Sequence, residues 1–332
     1  MSFKILVVGP SWVGDMMMAH VFFQLLRQQN PAADIHVLAP AWSHALLARM
    51  PEINRAIELP FGHGELKLGA RYRFGKQLRA EKYDQAFVLP NSLKSALIPY
   101  FARIPKRTGF LGEYRFIFLN NIYFLDKKAL PKMVQRFAAL AYPPKAMLAA
   151  NLPTPQLFPD QQNILIALEK YHLKKDKPIL ALCPGAEFGP SKCWPAEYYA
   201  AVANQKISEG WQVWLFGSAK DKTVADDINQ QTQNQCENLV GKTALSDAVD
   251  LLSLSKMVVT NDSGLMHIAA ALGCSLIALY GSTSPDFTPP LTEKAVILKL
   301  DLDCQPCFQR VCPLKHHHCM KLLTPDRVIA LF

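Results

Sequence analysis

Between Met257 and Gly273 the chain reads Met-Val-Val-Thr-Asn-Asp-Ser-Gly-Leu-Met-His-Ile-Ala-Ala-Ala-Leu-Gly. That order commits it to a strand, a turn and a helix in succession. Val258, Val259 and Thr260 are a short β-branched run of the kind that ends a buried parallel strand. Residues 261–264 turn the chain, Leu265 to Leu272 is strongly helical, and Gly273 closes the helix where a residue without a Cβ is comfortable. The amides of Ser263, Gly264 and Leu265 are then expected to point out of a helix N-terminus at the carboxyl end of a sheet, a ready anion site. Asp262 and Ser263 are also ordinary N-cap residues, so the stretch taken alone is a capped helix without a ligand.

The rest of the chain repeats this grammar. Strands are expected at Ile5–Val8, Ile35–Leu38, Ala56–Leu59, Gln85–Leu89 and Lys106–Gly109, separated by helices that include Met16–Gln28, Trp42–Arg49, Leu68–Ala80 and one capped by Asn91 and Ser92. Alternation lapses between Tyr142 and Pro159, where five prolines (143, 144, 153, 155 and 159) mark an interdomain linker. It resumes with strands at Ile179–Cys183, Gln212–Phe216, Leu239–Val240, Met257–Thr260 and Leu276–Tyr280. The pattern predicts an α/β chain of two doubly wound, Rossmann-like domains, 1–150 and 151–332, facing each other across a cleft.

Half of the 332 residues are apolar, which excludes a disordered protein, yet no apolar run reaches the length of a membrane span. The N-terminus goes straight into a strand and lacks a signal peptide's cleavage region, so a cytoplasmic location is expected. The eight cysteines are therefore read as thiols or ligands. Residues 1–150 carry 20 Lys and Arg against 9 Asp and Glu, net +11; residues 151–332 carry 16 against 18, net −2. A basic half beside a near-neutral one points to an anionic partner for the first, unless the charges serve only solubility.

The loop after the first strand, Gly9-Pro-Ser-Trp-Val-Gly14-Asp15, has neither the G-x-G-x-x-G spacing of a dinucleotide site nor the Gly-Lys-Ser/Thr of a P-loop. A dehydrogenase is disfavoured accordingly. What the loop offers is Asp15, an acid at a helix start, able to cap that helix or to act as a general base. The first loop of the second half, 183–195, contains two glycines and Lys192, placed to meet a diphosphate at residues 263–265. A third small polar loop, Phe216-Gly-Ser-Ala-Lys-Asp221, ends another strand. Near the end, Cys304, Cys307, Cys312 and Cys319 with three histidines make a possible structural zinc site, although C-x2-C-x4-C-x6-C is not a standard finger spacing.

Several of these segments carry a family resemblance. Residues 9–18, Gly62-His-Gly64, Leu-Pro-Asn-Ser-Leu-Lys-Ser-Ala-Leu (89–97), Arg107-Thr-Gly109, Cys-Pro-Gly-Ala-Glu-Phe-Gly-Pro (183–190), 216–221, Thr-Asn-Asp-Ser-Gly-Leu-Met-His (260–267) and 280–290 resemble the ADP-heptose:lipopolysaccharide heptosyltransferases. These are glycosyltransferases of family 9 with the GT-B fold. The resemblance covers nearly the whole chain and is greatest to the branch that adds the second heptose.

The resemblance implies an inverting transfer from ADP-L-glycero-β-D-manno-heptose to the first heptose of heptosyl-Kdo2-lipid A, with no cofactor required for catalysis. Asp15 matches the family's loop aspartate, the base that deprotonates the acceptor hydroxyl. Lys192 matches the lysine before Trp-Pro that steadies the departing ADP. Ser218, Asp262, Ser263, Gly264, His267 and Glu187 are donor-side candidates; Gly14, Asn91, Lys94, Arg107 and Arg115 are acceptor-side candidates. The basic, aromatic stretches 71–74 and 114–118 are candidates for a transient contact with the inner leaflet, making the protein peripheral on the cytoplasmic membrane of a Gram-negative bacterium. A sister heptosyltransferase (I, or a later core transferase) with the same donor is the alternative. A nucleic-acid-binding protein with a zinc-ribbon tail is disfavoured, because the cysteines sit in the half with net charge −2.

Overall fold

The computed structural model describes residues 3–62 and 64–332, so His63 of the Gly62–Gly64 motif lies outside the described residues. The chain divides into two compact units, Met1–Pro155 and Gln156–Phe332. Each is built on a six-stranded sheet whose pairings are all parallel.

In the first unit the strands are β1 (Lys4–Val8), β2 (Asp34–Ala39), β3 (Arg55–Glu58), β4 (Gln85–Val88), β5 (Lys106–Phe110) and β6 (Asn121–Tyr123), arranged β3-β2-β1-β4-β5-β6. Ile5 to Val8 are buried, as a central parallel strand covered on both faces requires. In the second unit β7 (Ile179–Cys183), β8 (Gln212–Leu215), β9 (Glu237–Asn238), β10 (Met257–Asn261), β11 (Ser275–Leu279) and β12 (Ala295–Leu298) run in the order β12-β11-β10-β7-β8-β9. Both sheets therefore follow one winding. The order reverses between β1 and β4 in one and between β7 and β10 in the other. Ligands of such sheets bind outside the carboxyl ends of the strands that flank the reversal.

Most expected elements are present, with shifts that have physical causes. The strand expected at Leu239–Val240 is the two-residue β9 at Glu237–Asn238, with Leu239 and Val240 buried just beyond it. The edge strands β6 and β12 were not anticipated, because β6 is only three residues long and Val296 and Ile297 of β12 are exposed. Helix Gln161–Lys170 follows the proline-rich run and starts at Asp160, whose carboxylate accepts the amides of Gln162 (2.9 Å) and Asn163 (3.2 Å).

The second unit's core includes Trp194 and Tyr199, both essentially inaccessible, each worth roughly 2–3 kcal/mol of apolar burial. The Trp194 indole N–H donates to the Leu323 carbonyl at 2.7 Å, tying the start of helix Ala196–Ser208 to the chain's last segment. No helix among the described residues is long and apolar enough to cross a membrane.

Candidate active site

The second unit's site is assembled at the reversal between β7 and β10. Asn261, the last residue of β10 and fully buried, uses its whole amide. Its oxygen accepts from the Trp194 N–H (3.1 Å) and the Tyr199 hydroxyl (3.0 Å), and its NH2 donates to the Pro184 carbonyl (2.6 Å). The loops after β7 and β10 are thereby locked together before any charge enters.

Asp262 follows. One carboxylate oxygen accepts from the Lys192 ammonium at 2.6 Å and from the Thr283 hydroxyl at 2.5 Å, and the Asp262 carbonyl lies 3.3 Å from the same ammonium. Asp262 is 3% exposed, so this charge pair is largely desolvated and breaking one partner is costly. Asp262 is thus not the helix cap that its residue type allows. Ser263 occupies the N-cap position of helix Gly264–Ala271 without making a side-chain cap bond, which leaves the first amides to another acceptor. His267 stands one turn in, and burial pushes its pKa down to about 4, with Asp262 opposing and Lys192 assisting. The imidazole is neutral at pH 7.

The neighbouring loops close around this centre. Asp221 bonds the Ser218 amide and hydroxyl through one oxygen, both at 2.8 Å. A Cβ on Gly185 would fall 2.3 Å from the Asp221 carboxyl carbon, so only glycine lets the two loops meet. Glu187 pairs with Lys220 at the exposed rim. Lys192, Asp262, Ser263, Gly264 and His267 are thus brought together, with Glu187 and Ser218 on the adjoining loops. Asn261 and Thr283 do as much to shape the site, yet they were given no role from sequence. The signal for Thr283 was its place in a small polar run after a buried strand.

In the first unit, helix Val13–Gln29 begins earlier than expected and places Asp15 in its first turn. Asp15 is half-buried while Met16, Met17 and Met18 behind it are buried, so the helix holds the acid at the edge of the core. Gly14 is half-buried beside it. Asn91 lies in the loop after β4, the strand paired with β1, so both loops leave the same edge of the sheet.

Arg115 is fully buried. Its guanidinium donates to the carbonyls of Phe110 (2.7 Å), Pro90 (2.5 Å) and Ser92 (3.0 Å) and to the Asn91 side chain (3.2 Å). Burial lowers its pKa to about 10, which leaves it charged at pH 7. With its donors held inside the chain, it braces the Asn91 loop. Arg107 likewise donates to the carbonyls of Phe118 (2.8 Å) and Ile104 (2.5 Å) and stands near the start of β5, the sheet edge opposite the Asp15 loop. The hydrogen bonds of these two guanidinium groups brace the first unit from within. Lys94 is half-buried on the first turn of helix Leu93–Phe101, and its carbonyl accepts from Arg71 at 3.3 Å.

The zinc suggestion finds no support among the described residues. Cys304, Cys307, Cys312 and Cys319 line one small cavity with His316, Ser191 and Ser282, and none of the four is in a disulfide. Among the described residues no group of three or more His, Cys, Asp or Glu is arranged to hold a metal. The Cys312 sulfur is instead surrounded by backbone N–H groups, led by that of His317, which lower its pKa. The segment's contacts run to the lysine loop: Ser191 donates to the Gln309 carbonyl at 2.5 Å and its amide to the Arg310 carbonyl at 3.2 Å.

The sequence profile described as glycosyltransferase family 9 (heptosyltransferase) matches residues 71–318. The chain is 50% identical to lipopolysaccharide heptosyltransferase 2 of Salmonella typhimurium, over 98% of this chain and 96% of that protein. It is 52% identical to lipooligosaccharide heptosyltransferase 2 of Haemophilus influenzae, over 90% of this chain and 88% of that one. The solved structure of E. coli ADP-heptose lps heptosyltransferase II superposes with a TM-score of 0.89 at 46% identity, covering 99% of this chain and 97% of the other. The chain belongs to glycosyltransferase family 9, the heptosyltransferases.

Proposed function

We propose that this enzyme transfers L-glycero-D-manno-heptose from ADP-heptose to the first heptose of the heptosyl-Kdo2-lipid A inner core. The observation that carries the donor half is the Lys192–Asp262 pair, 2.6 Å apart, at the open N-terminus of helix Gly264–Ala271. A cation and uncapped amides at one point suit a diphosphate. The choice of the second heptose rests on the identity of about half the chain to heptosyltransferase 2 proteins.

On this reading Asp15 takes the proton of the acceptor hydroxyl as its oxygen bonds to the anomeric carbon. The bond from that carbon to the diphosphate breaks, the configuration inverts, and ADP leaves with the electron pair. Lys192 and the amides of Ser263 and Gly264 meet the charge that grows on the diphosphate, the kind of donor set worth about 10²–10³ in kcat per group. Asp262 and Thr283 hold the ammonium in place, and neutral His267 offers a ring nitrogen to phosphate or sugar without adding charge. Glu187 and Ser218 are placed for the nucleoside end of the donor. Gly14, Asn91 and Lys94 are the acceptor-side residues, and the enzyme works beside the cytoplasmic membrane of a Gram-negative bacterium, where its lipid acceptor is anchored. Because a lysine and backbone dipoles neutralise the leaving group, the reaction calls for no added divalent cation.

The test is transfer from ADP-heptose to purified inner-core acceptors bearing zero or one heptose, read by mass spectrometry. A gain of one heptose only on the one-heptose acceptor is expected. Addition to the heptose-free acceptor would assign the sister activity, and no addition to either would overturn the reading.

A further inference from the structure

Three stretches of the first unit, 66–80, 93–112 and 114–125, contain ten Lys and Arg and not one Asp or Glu. They fold onto one face. Helices Leu68–Leu78 and Leu93–Phe101 pack so closely that a Cβ on Gly75 would lie 2.6 Å from the Phe101 Cβ. Along the outside runs a ladder of ring contacts: Tyr72 to Phe101 at 5.3 Å, Phe101 to Tyr100 at 5.6 Å, Tyr100 to Phe118 at 5.1 Å. Phe118 continues into the turn Arg115–Ile117.

Burial separates the parts of this face. Arg71, Arg107 and Arg115 donate to backbone carbonyls and hold the scaffold. Lys67, Arg73, Lys76, Arg103 and Lys106 are exposed. So are Tyr114 (85%), Phe116 (54%), Ile117 (65%) and Tyr72 (46%). Apolar side chains this accessible, beside a ring ladder and five exposed cations, are costly to leave in water and match a surface with anionic headgroups over hydrocarbon; the one acid of the turn, Glu113, has its carboxylate engaged by the Leu93 amide at 2.6 Å.

We propose that the Tyr72–Phe118 ladder and the turn Tyr114–Ile117 dock the enzyme on an anionic lipid bilayer. Phe116 and Ile117 enter the headgroup boundary, and Arg73, Lys76, Arg103 and Lys106 lie on the charged surface. The proposal deepens the reading above by naming where an enzyme with a lipid-anchored acceptor would rest. Its test uses neither donor nor acceptor, so failure of one is distinguishable from failure of the other.

The experiment is co-sedimentation of the full chain with vesicles of phosphatidylethanolamine and phosphatidylglycerol, and with phosphatidylcholine alone. Binding is expected only to the first, and to fall steeply with added salt. Phe116→Ser with Ile117→Ser should weaken it by about tenfold or more, since two exposed apolar side chains no longer insert. Arg73→Glu with Lys76→Glu should weaken it by at least about fivefold per site. Both variants should transfer heptose normally to a short, lipid-free inner-core oligosaccharide. Absence of vesicle binding, equal binding to both vesicles, or variants that bind as the parent would overturn the proposal. So would loss of transfer to the lipid-free acceptor by variants that remain folded by circular dichroism, which would make the face an acceptor pocket.

Discussion

At the scale of single residues, the proposed donor site is a small set of buried polar groups that satisfy one another. Thr283 donates to the carboxylate that holds Lys192, so Thr283→Val should leave Asp262 less constrained. A hydrogen bond to a charged group is worth roughly 1.5–3 kcal/mol, and a drop of about tenfold or more in kcat/KM for ADP-heptose is expected. Unchanged steady-state kinetics would remove Thr283 from the site. His267 gives a pH signature. Its folded pKa, about 4, lies below the ordinary value of 6.5, so the unfolded chain binds its proton first as pH falls. The stability held by neutral His267 is fully present above pH 6.5 and is lost progressively down to about 4. His267→Gln should flatten the loss of stability across that window in urea melts at stepped pH; a slope equal to the parent's would contradict the assignment. That Asp262 and His267 stand at the start of one helix beside Lys192 was legible from their motif. The bracing roles of Arg107 and Arg115 were not, because an arginine in a basic stretch reads as solvated until the carbonyls around it are known.

At the scale of elements, glycines mark where two segments approach closely. Gly189 has φ +150°, and a Cβ there would lie 2.5 Å from the Arg310 carbonyl oxygen, so the cysteine-bearing segment presses directly on the Lys192 loop. Gly189→Ala should displace that loop and raise the KM for ADP-heptose by roughly tenfold or more, the scale of one lost charge-assisted contact, while a KM equal to the parent's would show the loop to be independent of the segment. Gly75→Ala tests a different junction. It should destabilise the first unit by about 1–3 kcal/mol through overpacking against Phe101 and Ile98, read as a lower midpoint in denaturant. The central strands and the Gly273 helix stop were readable because period and residue type agree there; Gly273 adopts φ +71°. The partly exposed edge strand β12 and the two-residue β9 carry too little burial to leave a pattern. The cysteine cluster was read from composition alone. Four thiols close in sequence satisfy a ligand count, but placement in three dimensions decides whether they serve a metal.

At the scale of the whole molecule, two units share one winding and differ in charge. The first has a half-buried acid at its sheet reversal and a cationic outer face; the second has a lysine–aspartate pair and an open helix end at its own reversal. On the proposed function, proton abstraction falls to the first unit and leaving-group stabilisation to the second, a division that variants separate. The direct measurement is calorimetric ADP affinity beside single-turnover heptose transfer for the parent, Asp15→Asn and Lys192→Ala. Asp15→Asn should bind ADP as the parent does and lose transfer by about 10²–10⁴-fold, the range for general-base removal. Lys192→Ala should weaken both ADP binding and transfer. Transfer retained by Asp15→Asn, or ADP affinity unchanged in Lys192→Ala, would contradict the division.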